Sequence, residues 1–346
     1  MNIKADRPRS VWSGPAVAHG GNLSAARRLF PDAAGPWIDL STGINPLAYP
    51  METLNLPASA WTRLPEPAEI ERLEASAAAA YGAPDPRGLV AASGTQPLLQ
   101  LLPQLLPARR VAILGFGYQE HPACWRAAGA EVRIVENVDE LAAPGTEVAL
   151  VVNPNNPDGR LTDAAALREV GESLAARGGR LIVDEAFMDV VRPSQSLAPR
   201  LPPGTIVLRS FGKAYGLAGL RLSFAISDPA TAGQIRARLG AWPVSGPALA
   251  IGTAALADRD WMEAEIARLE AAAARLDRLL ERAELDAVGG TSLFRLVRSP
   301  DAAGWFERLG RAGILVRRFD ERPEWLRFGL PGPEADWRRL ETALRG

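Results

Sequence analysis

Residues 205–226 read TIVLRS FGKAYGLAGLR LSFAI, and this stretch decides the fold. Thr205–Ser210 and Leu222–Ile226 are short apolar runs rich in Ile, Val, Leu and Phe, the signature of buried strands. Between them lies a turn studded with Gly212, Gly216 and Gly219, and three residues past the first run stands Lys213. Lysine occurs only here and at Lys4, with arginine supplying the other basic residues. Heavy use of Ala, Arg, Gly and Pro accounts for that scarcity, yet any chemistry that needs an amine has few candidates. A lysine at a strand end can form a Schiff base with an aldehyde cofactor. The plainer alternative is an exposed loop lysine.

Working outward, the same texture recurs. Upstream, strands are predicted at Leu89–Ala92, Arg110–Leu114, Glu131–Val135, Val148–Val152 and Arg180–Asp184. Helical patterns alternate with them: from about residue 68 to Tyr81, from after Ala92 through Leu106, from about Glu120 to Ala128, and Leu161–Arg177, closed by Gly178-Gly179. Strands alternating with helices imply a mostly parallel sheet covered on both faces. Downstream of about residue 240 the pattern changes. A buried helix begins at Pro247, a long helix covers Trp261–Ala283, and strands at Ser292–Val297, Ile314–Arg317 and Trp325–Phe328 flank a helix over Asp301–Ala312 before a final helix. That is a smaller α+β unit, with which the irregular first fifty residues are expected to associate.

Composition sets limits. The 346 residues suit one large and one small domain, and 47% hydrophobic with 23% charged residues is ordinary for a globular chain. A net charge of −1 provides no basic field to recruit nucleic acid or an anionic membrane. The segment Met1–Ser13 is polar and lacks an apolar stretch of signal-peptide length, and Pro247–Ala257 is too short to cross a bilayer. Cys124 is the single cysteine, so no internal disulfide forms, which fits a reducing cytoplasm. With His19 and His121 the only histidines, no metal site of the usual His/Cys type is expected.

Four further polar signatures fall at predicted strand ends, where open α/β sheets bind ligands. Ser93-Gly94-Thr95-Gln96 opens a helix and suits a phosphate, or is a plain cap. Gly117-Tyr118 offers a ring to stack on a planar ligand, or a packed tyrosine. Asn153 to Gly159, with two Asn-Pro pairs, is a rigid turn from which Asn156 could donate its amide to a phenolate oxygen. Asp184, ending a buried strand, needs a cationic partner: a protonated pyridine nitrogen, or an arginine. Ser210 and Arg221 flank Lys213 and could hold a phosphate beside the Ser93–Gln96 turn.

In this order the motifs resemble the fold type I pyridoxal-phosphate (PLP) enzymes of the aspartate aminotransferase superfamily. The resemblance implies a large PLP-binding domain over residues 52–240, its mostly parallel seven-stranded sheet lying between helices. A smaller α+β domain would be built from residues 1–51 and 241–346. It implies that Lys213 carries the cofactor, Asp184 pairs with the pyridinium nitrogen, Asn156 contacts the ring oxygen and Tyr118 stacks. Ser93, Gly94, Thr95, Gln96, Ser210 and Arg221 would hold the phosphate. Arg327, in Leu326-Arg327-Phe328-Gly329, looks like the superfamily's arginine for the substrate carboxylate.

Within the superfamily the chain is most similar to the cobalamin-pathway threonine-phosphate decarboxylases. Three features carry that: His19-Gly20-Gly21-Asn22, then Leu40 to Pro46, and Phe187 in Asp184-Glu185-Ala186-Phe187 where aminotransferases usually have tyrosine. The expected reaction is loss of carbon dioxide from L-threonine O-3-phosphate. The substrate side would involve His19, Gly20, Gly43, Asn156, Arg317 and Arg327, with the two arginines for the two anions. A histidinol-phosphate-type aminotransferase uses the same core residues and is the alternative; a non-catalytic PLP-binding protein is a remote one. Two positions depart from the pattern. Gly43 replaces an asparagine that touches substrate in some members. Leu64 replaces a tyrosine that in aminotransferases reaches the neighbouring subunit's cofactor phosphate. A homodimer is still implied.

Overall fold

The computed structural model describes Val17 and residues 19–345. Lys4 and the polar reading of Met1–Ser13 lie outside the described residues. The first half of the chain forms α1 (Leu23–Leu29), β1 (Ile38–Asp39), α2 (Ser59–Thr62), α3 (Pro67–Tyr81), β2 (Leu89–Ala92), α4 (Thr95–Leu105), β3 (Arg110–Leu114), α5 (Glu120–Ala127), β4 (Glu131–Val135), β5 (Val148–Val152) and α6 (Ala164–Ala175). Then follow β6 (Arg180–Asp184), β7 (Thr205–Ser210), α7 (Phe211–Ala214), β8 (Ser223–Ile226), α8 (Pro229–Leu239), α9 (Gly246–Ala257), α10 (Arg259–Arg282), β9 (Asp286–Thr291), β10 (Phe294–Arg298), α11 (Ala302–Arg311), β11 (Ile314–Leu315), β12 (Arg317–Phe319), β13 (Arg322–Gly329) and α12 (Glu334–Arg345).

Seven strands make the large sheet, in the order β2-β8-β7-β6-β5-β3-β4. Only β8 runs against its neighbours, β2 and β7; the other pairings are parallel. Strand alternation sorts side chains onto two covered faces. Leu181 and Val183 of β6 join the core that includes Leu73, Leu167 and Leu249, from α3, α6 and α9. Ile182 joins the opposite core with Leu98, Trp125 and Ile235, from α4, α5 and α8. By the same alternation Asp184 and Glu185 leave the strand in opposite directions.

A third core combines Ile38 and Leu40 with Leu269, Phe294, Leu326 and Leu340. Over it lies a four-stranded antiparallel sheet, β12-β13-β10-β9. The parallel pair of β1 with β11 ties the early chain to the late chain, Ile38 facing Ile314.

Four expectations shift. The early segment is not wholly irregular, because Asn22 Oδ1 accepts from Ala25 N (2.9 Å) and starts α1. The helix expected from Leu161 begins at Ala164, since Asp163 caps it. The run 314–317 is divided between two sheets, β11 pairing with β1 and β12 with β13. Two elements, α8 and the exposed edge strand β9, carry little periodicity in sequence; α8 buries only Ala232 and Ile235. Among the described residues no helix is long and apolar enough to cross a membrane.

Candidate active site

Because β5, β6 and β7 run parallel, Asn153–Gly159, Asp184 and Ser210–Lys213 emerge at one edge of the sheet. The reversed β8 starts at that edge, which brings Arg221 and Ser223 to it as well. A cavity of about 500 Å³ opens there, lined by Thr95, Gln96, Asp184, Ser210, Lys213 and Arg221 among others. A second, of about 750 Å³, adjoins it and holds Gly20, Arg317 and Arg327. His19, Tyr118, Asn156 and Lys213 line both.

Lys213 sits on the single turn α7, which the early chain clamps. The Asn45 backbone N–H donates to Lys213 O (2.9 Å), and its side-chain amide donates to Ala214 O (2.8 Å) and Glu265 Oε1 (2.7 Å). At Gly216, φ is +67° and an added Cβ would lie 2.8 Å from Ala48 Cα, so only glycine lets the turn approach this closely. The Lys213 amine lies 5.5 Å from the centre of the Phe187 ring. Burial, then the Arg327 charge, lowers its pKa to about 8, with Asp184 opposing. About a tenth of the amine is therefore neutral, and nucleophilic, at pH 7, far more than for an ordinary lysine.

Asp184 is buried, and its side-chain partner within the chain is a histidine rather than an arginine. Oδ2 lies 2.8 Å from His121 Nε2, on the first turn of α5, while Oδ1 accepts from Ala186 N (3.1 Å). A carboxylate only accepts, so His121 Nε2 carries the proton. Glu185, facing the other way, accepts from Arg209 Nη1 (2.9 Å), Ser196 Oγ (2.5 Å) and Leu197 N (2.8 Å). Arg209 also pairs with Asp189, and its guanidinium lies 4.3 Å from the Tyr81 ring centre. Behind the cavity floor, then, is a second buried ionic cluster tying β6 to β7.

At the other end of the cavity, Gly94 precedes α4 with φ +86° and ψ 167°, a region essentially reserved for glycine. A Cβ there would lie 2.3 Å from Arg221 Nη2. The missing side chain is what lets the guanidinium lie beside the helix start, where both offer donors to the same anion. Thr95 Oγ1 bonds Ser223 Oγ (3.0 Å), and Gln96 Nε2 donates to Glu120 Oε2 (2.8 Å). The hydroxyl of Ser93 is not brought to this cavity; it donates to Pro243 O on an exposed turn.

In the adjoining cavity, Arg327 Nη1 donates to Asn156 Oδ1 (2.5 Å) and Nη2 to Ser41 O (2.8 Å), while its buried Nε has no hydrogen-bond partner among the described residues. Since arginine only donates, the Asn156 oxygen must face it, which leaves the Asn156 amide hydrogens for another acceptor. Burial and the nearby Arg317 bring Arg327 down to about 10, so it stays cationic at neutral pH. Tyr118 lies edge-on to His121, its pKa pushed up by burial and by Glu120. Gly43 lies outside both cavity walls. A Cβ there would be 2.9 Å from Phe187 Cε1 and 3.0 Å from Phe294 Cδ1, so an asparagine at this position has no room. Leu64 is 64% exposed.

Sequence reasoning missed His121, Glu120 and Asn45 as site residues. His121 had one available signal: it is one of two histidines, and it stands four residues beyond the Gly117-Tyr118 turn.

The donor set suits a planar aldehyde that carries a basic ring nitrogen and a phosphate: a primary amine of lowered pKa, a buried carboxylate, and an arginine at a helix start. Known proteins agree in kind. The chain is 43% identical to threonine-phosphate decarboxylase of Pseudomonas aeruginosa, over 95% of this chain and 98% of that one. It is 30% identical to histidinol-phosphate aminotransferase 2 of Ralstonia nicotianae, over 94% and 93%. The crystal structure of histidinol-phosphate aminotransferase from Sinorhizobium meliloti in complex with pyridoxal-5'-phosphate superposes with a TM-score of 0.79 at 23% identity, covering 96% of this chain and 94% of that one. Residues 36–344 match the aminotransferase class I and II family, and the chain belongs to it.

Proposed function

We propose that this chain is a PLP-dependent carboxy-lyase that converts L-threonine O-3-phosphate to (R)-1-aminopropan-2-ol O-2-phosphate and carbon dioxide, a step of cobalamin biosynthesis. The observation that carries this reading is the gap between 43% identity to a threonine-phosphate decarboxylase and 30% to a histidinol-phosphate aminotransferase, each over nearly the whole chain. The cavity chemistry supports it: Arg317 and Arg327 line one space beside Lys213, and a substrate with a carboxylate and a phosphate has two anions to seat.

In this reading Lys213 would anchor the cofactor, and Asp184, steadied by His121, would pair with its ring nitrogen. Asn156 would donate to the ring oxygen and Tyr118 would cover the ring. Gly94, Thr95, Gln96, Ser210 and Arg221 surround the phosphate; Ser93 contributes backbone rather than hydroxyl. When bound, the cofactor supplies a sink for the electron pair left by the departing carboxylate. The chain's own residues decide which bond breaks. Arg327 and Arg317 would seat the substrate's two anions and so decide which bond at Cα is presented for cleavage. Asp184 keeps a negative charge against the ring nitrogen. Lys213 Nζ would return a proton to Cα. His19 and Gly20 close the mouth, and Gly43 acts from behind, leaving room for Phe187.

We also read residues 52–240 as the PLP-binding domain and residues 1–51 with 241–346 as the small domain, in a cytoplasmic homodimer. Incubation with threonine phosphate and PLP should release carbon dioxide. No gas, with 2-oxoglutarate converted to glutamate in the presence of an amino donor, makes the protein an aminotransferase instead.

A further inference from the structure

A carboxylate is an unexpected neighbour for a site that must hold anions. Glu120, the first residue of α5, nevertheless lines the cofactor cavity with its side chain only 14% exposed. Both its oxygens are engaged. Oε1 lies 2.7 Å from His19 Nε2, and Oε2 accepts from Gln96 Nε2 at 2.8 Å. The amide of Gln96 is fixed in turn to the first turn of α4, whose start is the anion end of the cavity. The carboxylate thus bridges three separate segments: the strap around His19, α4 and α5.

The chemistry of the pair gives that bridge a purpose. A carboxylate only accepts, so His19 Nε2 carries a proton, and Nδ1 is the ring nitrogen left for a ligand. Held through Nε2, the ring is fixed in orientation as well as in place. Without Glu120, the ring would be free to turn and to present a lone pair to the incoming anion. His19 borders both cavities, and the wall beyond it carries Arg126 and Arg317 against Asp320 and Glu321. A ring held at that junction borders both cavities, with Nδ1 left for a ligand.

We propose that Glu120 is a positioning residue for substrate recognition: through Nε2 it holds the His19 ring in place to meet the phosphate of a phosphorylated amino acid. This rests on the substrate class proposed above. Glu120 touches no reacting atom, so its removal should weaken capture of the phosphate and spare the bond-breaking step.

Glu120→Gln should raise KM for threonine phosphate about tenfold with kcat within about twofold, the scale of one charge-assisted contact. In a His19→Ala background the same change should add almost nothing, since the residue through which it acts is gone. The visible absorbance of the bound cofactor should be the same in all four proteins. An unchanged KM in Glu120→Gln, or an equal further rise in the His19→Ala background, overturns the proposal. Glu120→Asp, which keeps the charge on a shorter arm, replaces Gln if that variant does not fold and should recover part of the KM. The same four-way comparison by titration calorimetry, with inorganic phosphate and holoenzyme, needs no turnover. If the wild type releases no carbon dioxide, the proposed reaction fails, while the calorimetric cycle still decides the pairing: a loss of phosphate affinity in Glu120→Gln that vanishes without His19 upholds it, and no such loss sinks it.

Discussion

Lys213 owes its reactivity to where it sits. Burial and the nearby Arg327 favour the neutral amine, lowering its pKa to about 8. In cofactor-free protein, the rate of holoenzyme formation on adding PLP should climb through neutral pH and level off above about 8. An ordinary lysine would keep climbing toward about 10.4. The sign carries over to stability. Between about 8 and the ordinary lysine value only the unfolded chain still binds that proton, so the cofactor-free protein should gain stability as pH rises through this window. Lys213→Ala should abolish both the visible absorbance of the bound cofactor and turnover; a retained band would defeat its assignment as anchor. Asp184→Asn keeps the shape but removes the charge proposed to face the ring nitrogen, and should lower kcat by about a hundredfold or more, read by steady-state kinetics.

At the scale of elements, the β2–α4 turn and the β6–β7 pair each support a definite expectation. Gly94→Ala puts a methyl where Arg221 Nη2 lies and strains a backbone that only glycine adopts. Cofactor affinity should fall at least about tenfold, measured by equilibrium titration of absorbance, as expected when a charged hydrogen bond to phosphate is misplaced. Arg209→Met leaves Glu185 and Asp189 buried without their cation. The cost should be about 3–5 kcal/mol in urea denaturation, the usual penalty for stripping one partner from a buried ionic cluster. These elements were unequally legible. β6 and β7 announce themselves, since both are buried runs of Leu, Ile and Val with a polar residue at the carboxyl end. β9, reading Asp286-Ala287-Val288-Gly289-Gly290-Thr291, is an exposed edge held by its pairing with β10, so its own composition predicts little. The His121–Asp184 contact spans 63 positions and exists only because α5 packs across that face of the sheet. Strand ends could be read in sequence; what stands opposite them could not. Gly43 is a similar case, because its need for glycine comes from two aromatic rings that fold back on it from positions 187 and 294.

For the whole molecule, the exposed apolar side chains Trp61, Leu64 and Trp242, at 69%, 64% and 55%, are the natural complement of the proposed homodimer. Sedimentation should return twice the mass of the chain, and a monomeric mass would remove that assembly. The chain-order motifs made the fold class visible early, because each falls at the same edge of one sheet. The order of the strands was not visible, and it matters most at β8. Running against its neighbours, β8 brings Arg221 and Ser223 back to the edge where β2 hands over to α4 and β7 hands over to the lysine turn. The phosphate end of the cavity is therefore stitched from stretches more than a hundred residues apart, and it is complete only when β2, β8 and β7 are all in register. Bound PLP becomes a coloured gauge of that corner's integrity. As the protein is unfolded, its visible band should fade as soon as β2 or β8 peels away, even while the helices elsewhere still give their far-ultraviolet signal.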